Sequence, residues 1–393
     1  MAGTEFGDPA MRERMAEELY ERLKEQRSLH VYYGIDPTAP DIHLGHTVPL
    51  RKLRQFQELG HHVTFLMGDF TARIGDPSDK DRTRPQLSPE EIAANVRTYT
   101  DQAFKILDRE RTEIRYNSEW LSELDFADLI RLASNFTVQQ FLQRDNFAKR
   151  LERGDAIYLH EFFYALMQGY DAVAQHTDVQ VGGTDQTFNM LAGRTLQERV
   201  GQKPHVALTF GMLPGTDGVQ KMSKSLGNAI EIDTTPEDMY GKLMSIPDEA
   251  MPIYYRLVTR YHPEEIERSI SAIESGAIHP RDAKMKLAYH ITAIFHGEEG
   301  AKRAEEHFKR VFQQQQLPPD MPERIVDEPI GLLNLIAEAD FARGTGAARR
   351  LVQQEAVSID DEKITDPTFT VEPTGEPRVL RVGKRRFLRL LPG

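Results

Sequence analysis

The stretch from Leu29 to Asp69 limits the possible folds more than any other. "LHVYYGI" from Leu29 is aliphatic and aromatic enough for a strand, and Gly34 stands near its end. Asp36-Pro37-Thr38 turns the chain. Leu50, Leu53 and Phe56 then recur at helical spacing, which predicts a helix from about Leu44 to Leu59, closed by Gly60. "HHVTFLMGD" from His61 follows, nearly continuous in apolar character, as a strand covered on both faces must be. Strand, crossover helix and strand form the unit of a parallel sheet. The alternation continues. "TEIRYNS" from Thr112, "DVQVGG" from Asp178 and "HVALTFGML" from His205 have strand character, and "YLHEFFYALMQGYDAVAQH" from Tyr158 is a helix. The expected core is an α/β domain with a Rossmann-type, doubly wound parallel sheet.

The chain of 393 residues exceeds one ordinary core. Residues 1–228 are assigned to the α/β domain, with a charged helical insertion at about 120–155. Ser88 and Glu91 have capping-box spacing for a helix that follows the Gly/Pro/Asp-rich loop from Ala72. Residues 229–316 carry helical periodicity. "QQQQLPPDMPER" from Gln313 has linker composition, and 317–330 is taken as the linker. Residues 331–393 mix two short helices with strand-like pieces such as "AVSID".

Charge divides the chain unevenly. Formal net charge is −12, which argues against indiscriminate nucleic-acid binding. Residues 331–393 hold 10 Lys and Arg against 9 Asp and Glu, while the preceding 330 hold 39 against 52. "RVLRVGKRRFLR" from Arg378 has six basic residues and no acid, so a basic module ends an acidic body. The absence of cysteine excludes disulfides, thiolate metal sites and a cysteine nucleophile, and suits a cytoplasmic setting. No apolar run approaches the roughly 20 residues of a membrane span. The charged first 26 residues lack the apolar region of a secretory signal.

Function is concentrated at strand ends. In a doubly wound sheet, ligands bind beyond the carboxyl ends of the strands. His43 and His46 of "HLGH" lie where the first strand hands over to the first helix, a place rich in free backbone N–H groups. Imidazoles there can donate to phosphate or ribose oxygens, and Gly45 would admit a flat ring against the backbone. A turn of helix with incidental histidines is the alternative for that motif alone. "KMSKS", Lys221 to Ser225, follows the last strand, and its lysines, serines and backbone could wrap a polyphosphate. Tyr164, Gln168 and Asp171 share one face of a helix at i, i+4 and i+7 around apolar neighbours. Gly182 and Gly183 end a strand in a way that lets a ligand approach the backbone.

"HLGH" with "KMSKS" resembles the paired signature of class I aminoacyl-tRNA synthetases, with Leu44 where isoleucine is frequent. "YYGIDPTAPDIHLGH", "IGDPSDKDRTRP", "YALMQGYD" and "VGGTDQTFN" together resemble the bacterial tyrosyl-tRNA synthetases that carry the lysine-methionine-serine-lysine-serine loop, from about residue 30 onward. The resemblance implies a tyrosine–tRNA ligase. It implies that Tyr164, Gln168 and Asp76 hold the substrate ammonium, and that Tyr32 and Asp171 bond its phenol. Gln186 would join Gly183 and Asp185 at the adenylate ribose and the substrate carboxyl group. Gly34 and Asp36 would line the nucleotide pocket with Gly45, Met222 and Ser223. Thr38 and His43 would meet pyrophosphate and His46 the ribose, while Lys80, Arg84, Lys221 and Lys224 clamp the leaving group. ATP with Mg²⁺ is the implied cosubstrate. No protein metal site is expected, since the His43/His46 pair has no convergent third ligand. Tyr33 is bulkier than the pattern suggests beside the pocket.

The helical region resembles an anticodon-binding domain, and the C-terminal part resembles the small RNA-binding fold of ribosomal protein S-four. Arg343, Arg349, Arg350, Lys384, Arg385 and Arg386 are the expected contacts to tRNA(Tyr). A homodimer joined through the 120–155 insertion is also implied. Three alternatives are a tryptophanyl-tRNA synthetase, a nucleotidyl transferase with paired histidines, and a catalytically inactive RNA-binding paralogue.

Overall fold

The computed structural model describes residues 1, 3–37, 42–78, 88–313, 321–360, 362–383 and 386–392. Thr38, Lys80, Arg84, Lys384 and Arg385 lie outside them. The chain divides into two compact units, Met1–Ala304 and Glu305–Gly393. The helices after residue 229 therefore share a unit with the sheet, and no break between units falls at 228/229.

The first unit is built on five parallel strands: β1 (His30–Ile35), β2 (His62–Met67), β3 (Thr112–Tyr116), β4 (Val179–Gly183) and β5 (Val206–Phe210). Their order is β3-β2-β1-β4-β5, so the order reverses between β1 and β4. That reversal opens a crevice beyond the carboxyl ends of those two strands, where a doubly wound sheet binds its ligand. Both β2 and β5 are buried almost throughout, as their continuous apolar sequences require.

Helices cover both faces. They begin with α1 (Pro9–Lys24), α2 (Leu44–Glu58) and α3 (Pro89–Ala103). The insertion contributes α4 (Ser118–Leu121), α5 (Phe126–Ala133), α6 (Val138–Leu142) and α7 (Asp145–Arg153). Next come α8 (Leu159–Ala174) and α9 (Thr187–Arg199). The unit closes with α10 (Pro236–Met244), α11 (Met251–Val258), α12 (Pro263–Glu274) and α13 (Pro280–Phe308), whose final residues begin the second unit. Within α13, Gly297 at φ 74° breaks the helical path.

The capping box predicted at Ser88 and Glu91 starts α3. Gly60, at φ 86°, follows α2 in the left-handed conformation. Helix α1, for which the sequence offered no role, is tied to the sheet. Buried Arg22 pairs with Asp178, Arg27 reaches the same carboxylate at 2.6 Å, and Arg194 binds Glu18 at 2.7 Å. A buried pair, Arg150 with Glu161 at 2.5 Å, joins α7 to the start of α8 and so fixes the helix that carries the polar stripe.

The second unit contains β6 (Glu323–Val326), β7 (Ile330–Gly331), α14 (Leu332–Glu338) and α15 (Thr345–Gln353). It continues with β8 (Val357–Ile359), β9 (Glu362–Lys363), β10 (Thr370–Val371), β11 (Arg378–Val382) and β12 (Arg386–Pro392). Five of these strands make a sheet in the order β6-β12-β11-β8-β9, packed over Leu335, Ile336, Val352 and Leu380. The stretch read as linker, 317–330, thus carries a strand. β6 pairs in parallel with β12, but only Val326 of its four residues is buried, so it has no alternating apolar signal.

Candidate active site

The two histidines of the first motif cap α2. His43 is its N-cap residue, and His43 Nδ1 accepts the Gly45 N–H at 3.2 Å. His46 Nδ1 accepts the His43 N–H at 3.3 Å. This is a capping box made of imidazoles. An Nδ1 that accepts on a neutral ring leaves the proton on Nε2, so each histidine keeps one N–H donor. Both rings are neutral at physiological pH. Burial, then His46 and the loop lysines, lowers the pKa of His43 to about 2. Burial, then Lys221 and Lys224, lowers that of His46 to about 4. A Cβ at Gly45 would lie 3.0 Å from His43 Cε1, so the bare backbone there leaves room for that ring.

The lysine loop lies against this pair. Lys221 Nζ is 3.0 Å from Asp185 Oδ2, and Lys224 Nζ is 3.4 Å from Glu231 Oε1. Met222 is buried and its N–H donates to the Leu213 carbonyl at 3.0 Å, while the Ser223 hydroxyl meets that of Ser225 at 2.9 Å. Sequence reasoning missed Asn228, which fastens the loop. Its Oδ1 accepts the Ser223 N–H at 2.8 Å, and its Nδ2 donates to Asp217 at 2.6 Å and to the Lys221 carbonyl at 3.3 Å. Gly183 accommodates the Asp185 carboxylate, because a Cβ there would sit 2.4 Å from Asp185 Oδ1.

A second group of polar side chains surrounds Asp36 and Asp76. Tyr164 donates its hydroxyl to Asp36 Oδ2 at 2.9 Å, and Asp36 Oδ1 accepts from Thr71 at 2.7 Å. Gly68 makes room for that carboxylate; a Cβ there would lie 2.1 Å from Asp36 Oδ1. Gln186 Nε2 donates to Asp76 Oδ2 at 2.6 Å. Asn189 Nδ2 donates to both Gln186 and Gln168 at 3.0 Å, joining Gln168 and Asp76, two of the residues expected at the ammonium, through Gln186. Gly34 is exposed at the end of β1, beside this group. Alternation along β1 sends Tyr32 and Tyr33 to opposite faces, and the Tyr33 ring stacks on Phe65 at 6.0 Å. Its bulk therefore lies away from the Tyr32 side.

Asp171 is buried at the far end. Its oxygens accept from Trp120 Nε1 at 2.8 Å and more weakly from Asn117 Nδ2 at 3.4 Å. Burial raises its pKa well above the carboxylate range, against the opposing effect of those two donors. The Tyr32 hydroxyl, 1% exposed, has no hydrogen-bond partner among the described residues, and burial together with the Asp171 charge raises its pKa further. A buried hydroxyl left without a partner points to a ligand that supplies one. Trp120 and Asn117 had no sequence signal. Each is a single residue in the insertion region and acquires its role only when α4 packs near α8.

The turn carrying Asp76 is held from the insertion. Arg144 Nη2 donates to Ser78 Oγ at 2.8 Å, Asn146 Nδ2 donates to the Pro77 carbonyl at 2.8 Å, and the Ser78 N–H donates to Asp76 Oδ1 at 2.9 Å. Nη1 of the buried Arg144 lacks a partner among the described residues. A cavity of about 770 Å³ opens here, with Arg144, Asn146, Lys149, Asp185 and Phe188 in its wall. Arg343, Arg349, Arg350 and Arg386 belong to the second unit, where all four are exposed.

A parallel sheet that reverses at β1/β4, a histidine pair capping its first crossover helix, and a lysine loop after its last strand define a class I aminoacyl-tRNA synthetase. The model of the family described as class I tRNA synthetases for tryptophan and tyrosine matches residues 24–313. The tyrosine–tRNA ligase of Thermotoga maritima is 53% identical over 377 residues, 96% of this chain and 94% of that protein. That of Moorella thermoacetica is 54% identical over 95% of this chain and 90% of its own. A truncated mitochondrial tyrosyl-tRNA synthetase of Aspergillus nidulans superposes with a TM-score of 0.61 at 26% identity, covering 75% of this chain and 89% of that one. The chain belongs to the bacterial tyrosine–tRNA ligases. Its reaction joins tyrosine to ATP as tyrosyl-adenylate and passes the tyrosyl group to tRNA(Tyr).

Proposed function

We propose that the site residues divide this reaction as follows. Tyr32 and Asp171 bond the substrate phenol, and Tyr164, Gln168 and Asp76 hold its ammonium, the last two tied together through Gln186 and Asn189. Gln186, Gly183 and Asp185 border the substrate carboxyl group and the adenylate ribose. The carboxylate then attacks the α-phosphate and pyrophosphate leaves. Negative charge gathers on phosphate oxygens, so catalysis is positioning and electrostatics with no covalent enzyme intermediate. His43 with Thr38 meets the pyrophosphate end through hydrogen bonds, and His46 the ribose side. Gly34 and Asp36 line the nucleotide pocket. Lys221 and Lys224 exchange Asp185 and Glu231 for the leaving phosphates, aided by Lys80 and Arg84. The donors here are imidazole N–H and ammonium groups, a set that does not fit a protein-held magnesium ion. Mg²⁺ arrives on ATP's own phosphate oxygens, and no step is assigned to it.

The single observation that carries the specificity is the buried, partnerless Tyr32 hydroxyl under the influence of the Asp171 carboxyl group. Phenylalanine would leave the Tyr32 hydroxyl without a partner, and tyrosine against phenylalanine is itself the standard worked case of such selection. The cavity walled by Arg144 and Lys149 suits the 3′ end of tRNA, because it borders Asp185 and has two cationic side chains in its wall. Arg343, Arg349, Arg350, Lys384, Arg385 and Arg386 contact the tRNA. The insertion exposes Phe126 and, on the next turn, Ile130, together with Val138, which supports its use as a homodimer interface. No helix among the described residues is long and apolar enough to cross a membrane, and a cytoplasmic setting suits a translation enzyme.

The test is amino-acid-dependent ATP–pyrophosphate exchange across all twenty amino acids without tRNA. Exchange with tyrosine alone is the expected result. Exchange with tryptophan would keep the class and overturn the pocket assignment, and no exchange would favour an inactive RNA-binding relative.

A further inference from the structure

A second cluster of ligand-bearing side chains lies at the opposite edge of the same sheet. His30 opens β1, His62 opens β2, and Glu113 is the second residue of β3. The register pairs His30 with His62, and Thr64 with Glu113. Paired residues on neighbouring strands, and residues two apart on one strand, point to the same face. All four side chains therefore share one face. The two rings lie 4.9 Å apart, and one nitrogen of each with one Glu113 oxygen fall within 4.8 Å of one another. His62 Nε2 is 2.9 Å from Glu113 Oε2.

Hydrogen bonds hold the cluster together. His30 Nδ1 lies 2.6 Å from the Gln175 carbonyl oxygen, which can only accept, so Nδ1 carries a proton and Nε2 is the nitrogen a metal would take. Nε2 faces Thr64 Oγ1 at 2.8 Å, and Glu113 Oε2 lies 3.2 Å from the same hydroxyl and 2.9 Å from His62 Nε2. The Gln175 carbonyl on His30 Nδ1 is also the kind of outer partner that fixes a metal-binding imidazole in the correct tautomer.

We propose that His30, His62 and Glu113 form a binding site for a divalent transition metal of the zinc class, with water as the fourth ligand. Zinc takes nitrogen and oxygen ligands at about 2.0–2.2 Å in a tetrahedron. Donors already this close reach that spacing by side-chain rotation, and His62 and Glu113, 52% and 42% exposed, are free to rotate and to admit the ion. The ion would cross-link β1, β2 and β3 at their amino ends. His30 is four residues before Gly34, about 13 Å along the strand, so the site is separate from the adenylate chemistry.

Cobalt(II), which reports four-coordinate nitrogen and oxygen ligation by its visible absorption, is the probe. Titrated into the chelator-treated full chain, it should give bands that saturate at one equivalent and disappear when zinc is added. His62→Ala and Glu113→Gln should each weaken binding by about tenfold or more. Zinc should raise the melting temperature of the wild type by roughly 2 °C or more, and not that of His62→Ala. Absent bands would overturn the proposal. So would bands that survive in His62→Ala but vanish in His46→Ala, which would move the ion to the catalytic pair.

Discussion

At the scale of single residues, the site combines features the sequence announces with features it hides. His43, His46, Tyr164, Gln168 and Asp171 were legible because their motifs resemble those of the family, and spacing adds only that they share a helix start or a helix face. Trp120, Asn117 and Asn189 were not, because each acts through a partner remote in sequence, and Asn228 was not, because its bonds within the loop follow no helix or strand spacing. Asp171 shows what the arrangement costs. Burial raises its pKa in the folded protein, while the unfolded chain keeps the ordinary value near 3.8. Above that value the folded state binds the extra proton, so this residue's contribution to stability is lost as pH rises toward the raised pKa. Asp171→Asn removes the ionisable group. In the ligand-free protein, its urea-unfolding free energy relative to wild type should therefore rise with pH above 4, by up to about 1.4 kcal/mol per pH unit. The same variant should lose the tyrosine-over-phenylalanine preference in pyrophosphate exchange. Retained preference would remove Asp171 from the phenol site.

At the scale of elements, β2 and β5 were readable because a strand covered on both faces must be apolar throughout. Edge strand β6 was not, since three of its four residues face solvent. The insertion was legible as helices, but its hold on the active site was not. Arg144 and Asn146 reach from the α6–α7 region to the turn that presents Asp76. Nothing in "QRDNF" signals that reach. Arg144→Met keeps an unbranched side chain of similar length and removes the bond to Ser78. The Asp76 turn should loosen, and the KM for tyrosine should rise roughly 3- to 10-fold, the worth of one such hydrogen bond. The KM for ATP should stay within about twofold, because the His43/His46 cap is anchored on α2. Equal increases for both substrates in steady-state exchange would instead indicate a general loss of packing around α7.

At the scale of the whole molecule, charge separates two tasks between two units. The first unit holds several histidines in the neutral form: burial lowers the buried His43 to about 2 and His205 to about 3, and the half-buried His46 and His290 to about 4. Each charges near pH 6.5 once unfolded, so the stability it contributes is present above 6.5 and is lost as pH falls toward its folded value. Fluorescence of Trp120, the one tryptophan and in this unit, should report urea midpoints that drop between pH 6.5 and 4. His205→Leu should make that slope shallower by about 1.4 kcal/mol per pH unit. The second unit has a different electrostatic character. Its terminal 63 residues are close to neutral, while the remaining 330 are strongly acidic. An acidic body repels a polyanion, so tRNA affinity must come from local clusters of positive charge. Arg349 and Arg350 are adjacent and exposed on α15. Replacing both with alanine should weaken tRNA(Tyr) binding by about tenfold or more at moderate salt. For each phosphate that the variant no longer neutralises, the slope of log affinity against log salt should also fall by about 0.7–0.9. Tyrosine-dependent pyrophosphate exchange without tRNA should be unchanged, because activation is completed by residues of the first unit. If exchange fell in parallel with tRNA binding, the two units would be coupled in the activation step itself. If affinity and salt slope both stayed at wild-type values, the tRNA would be held by other cations, and the arginines of α15 would be a solvated face.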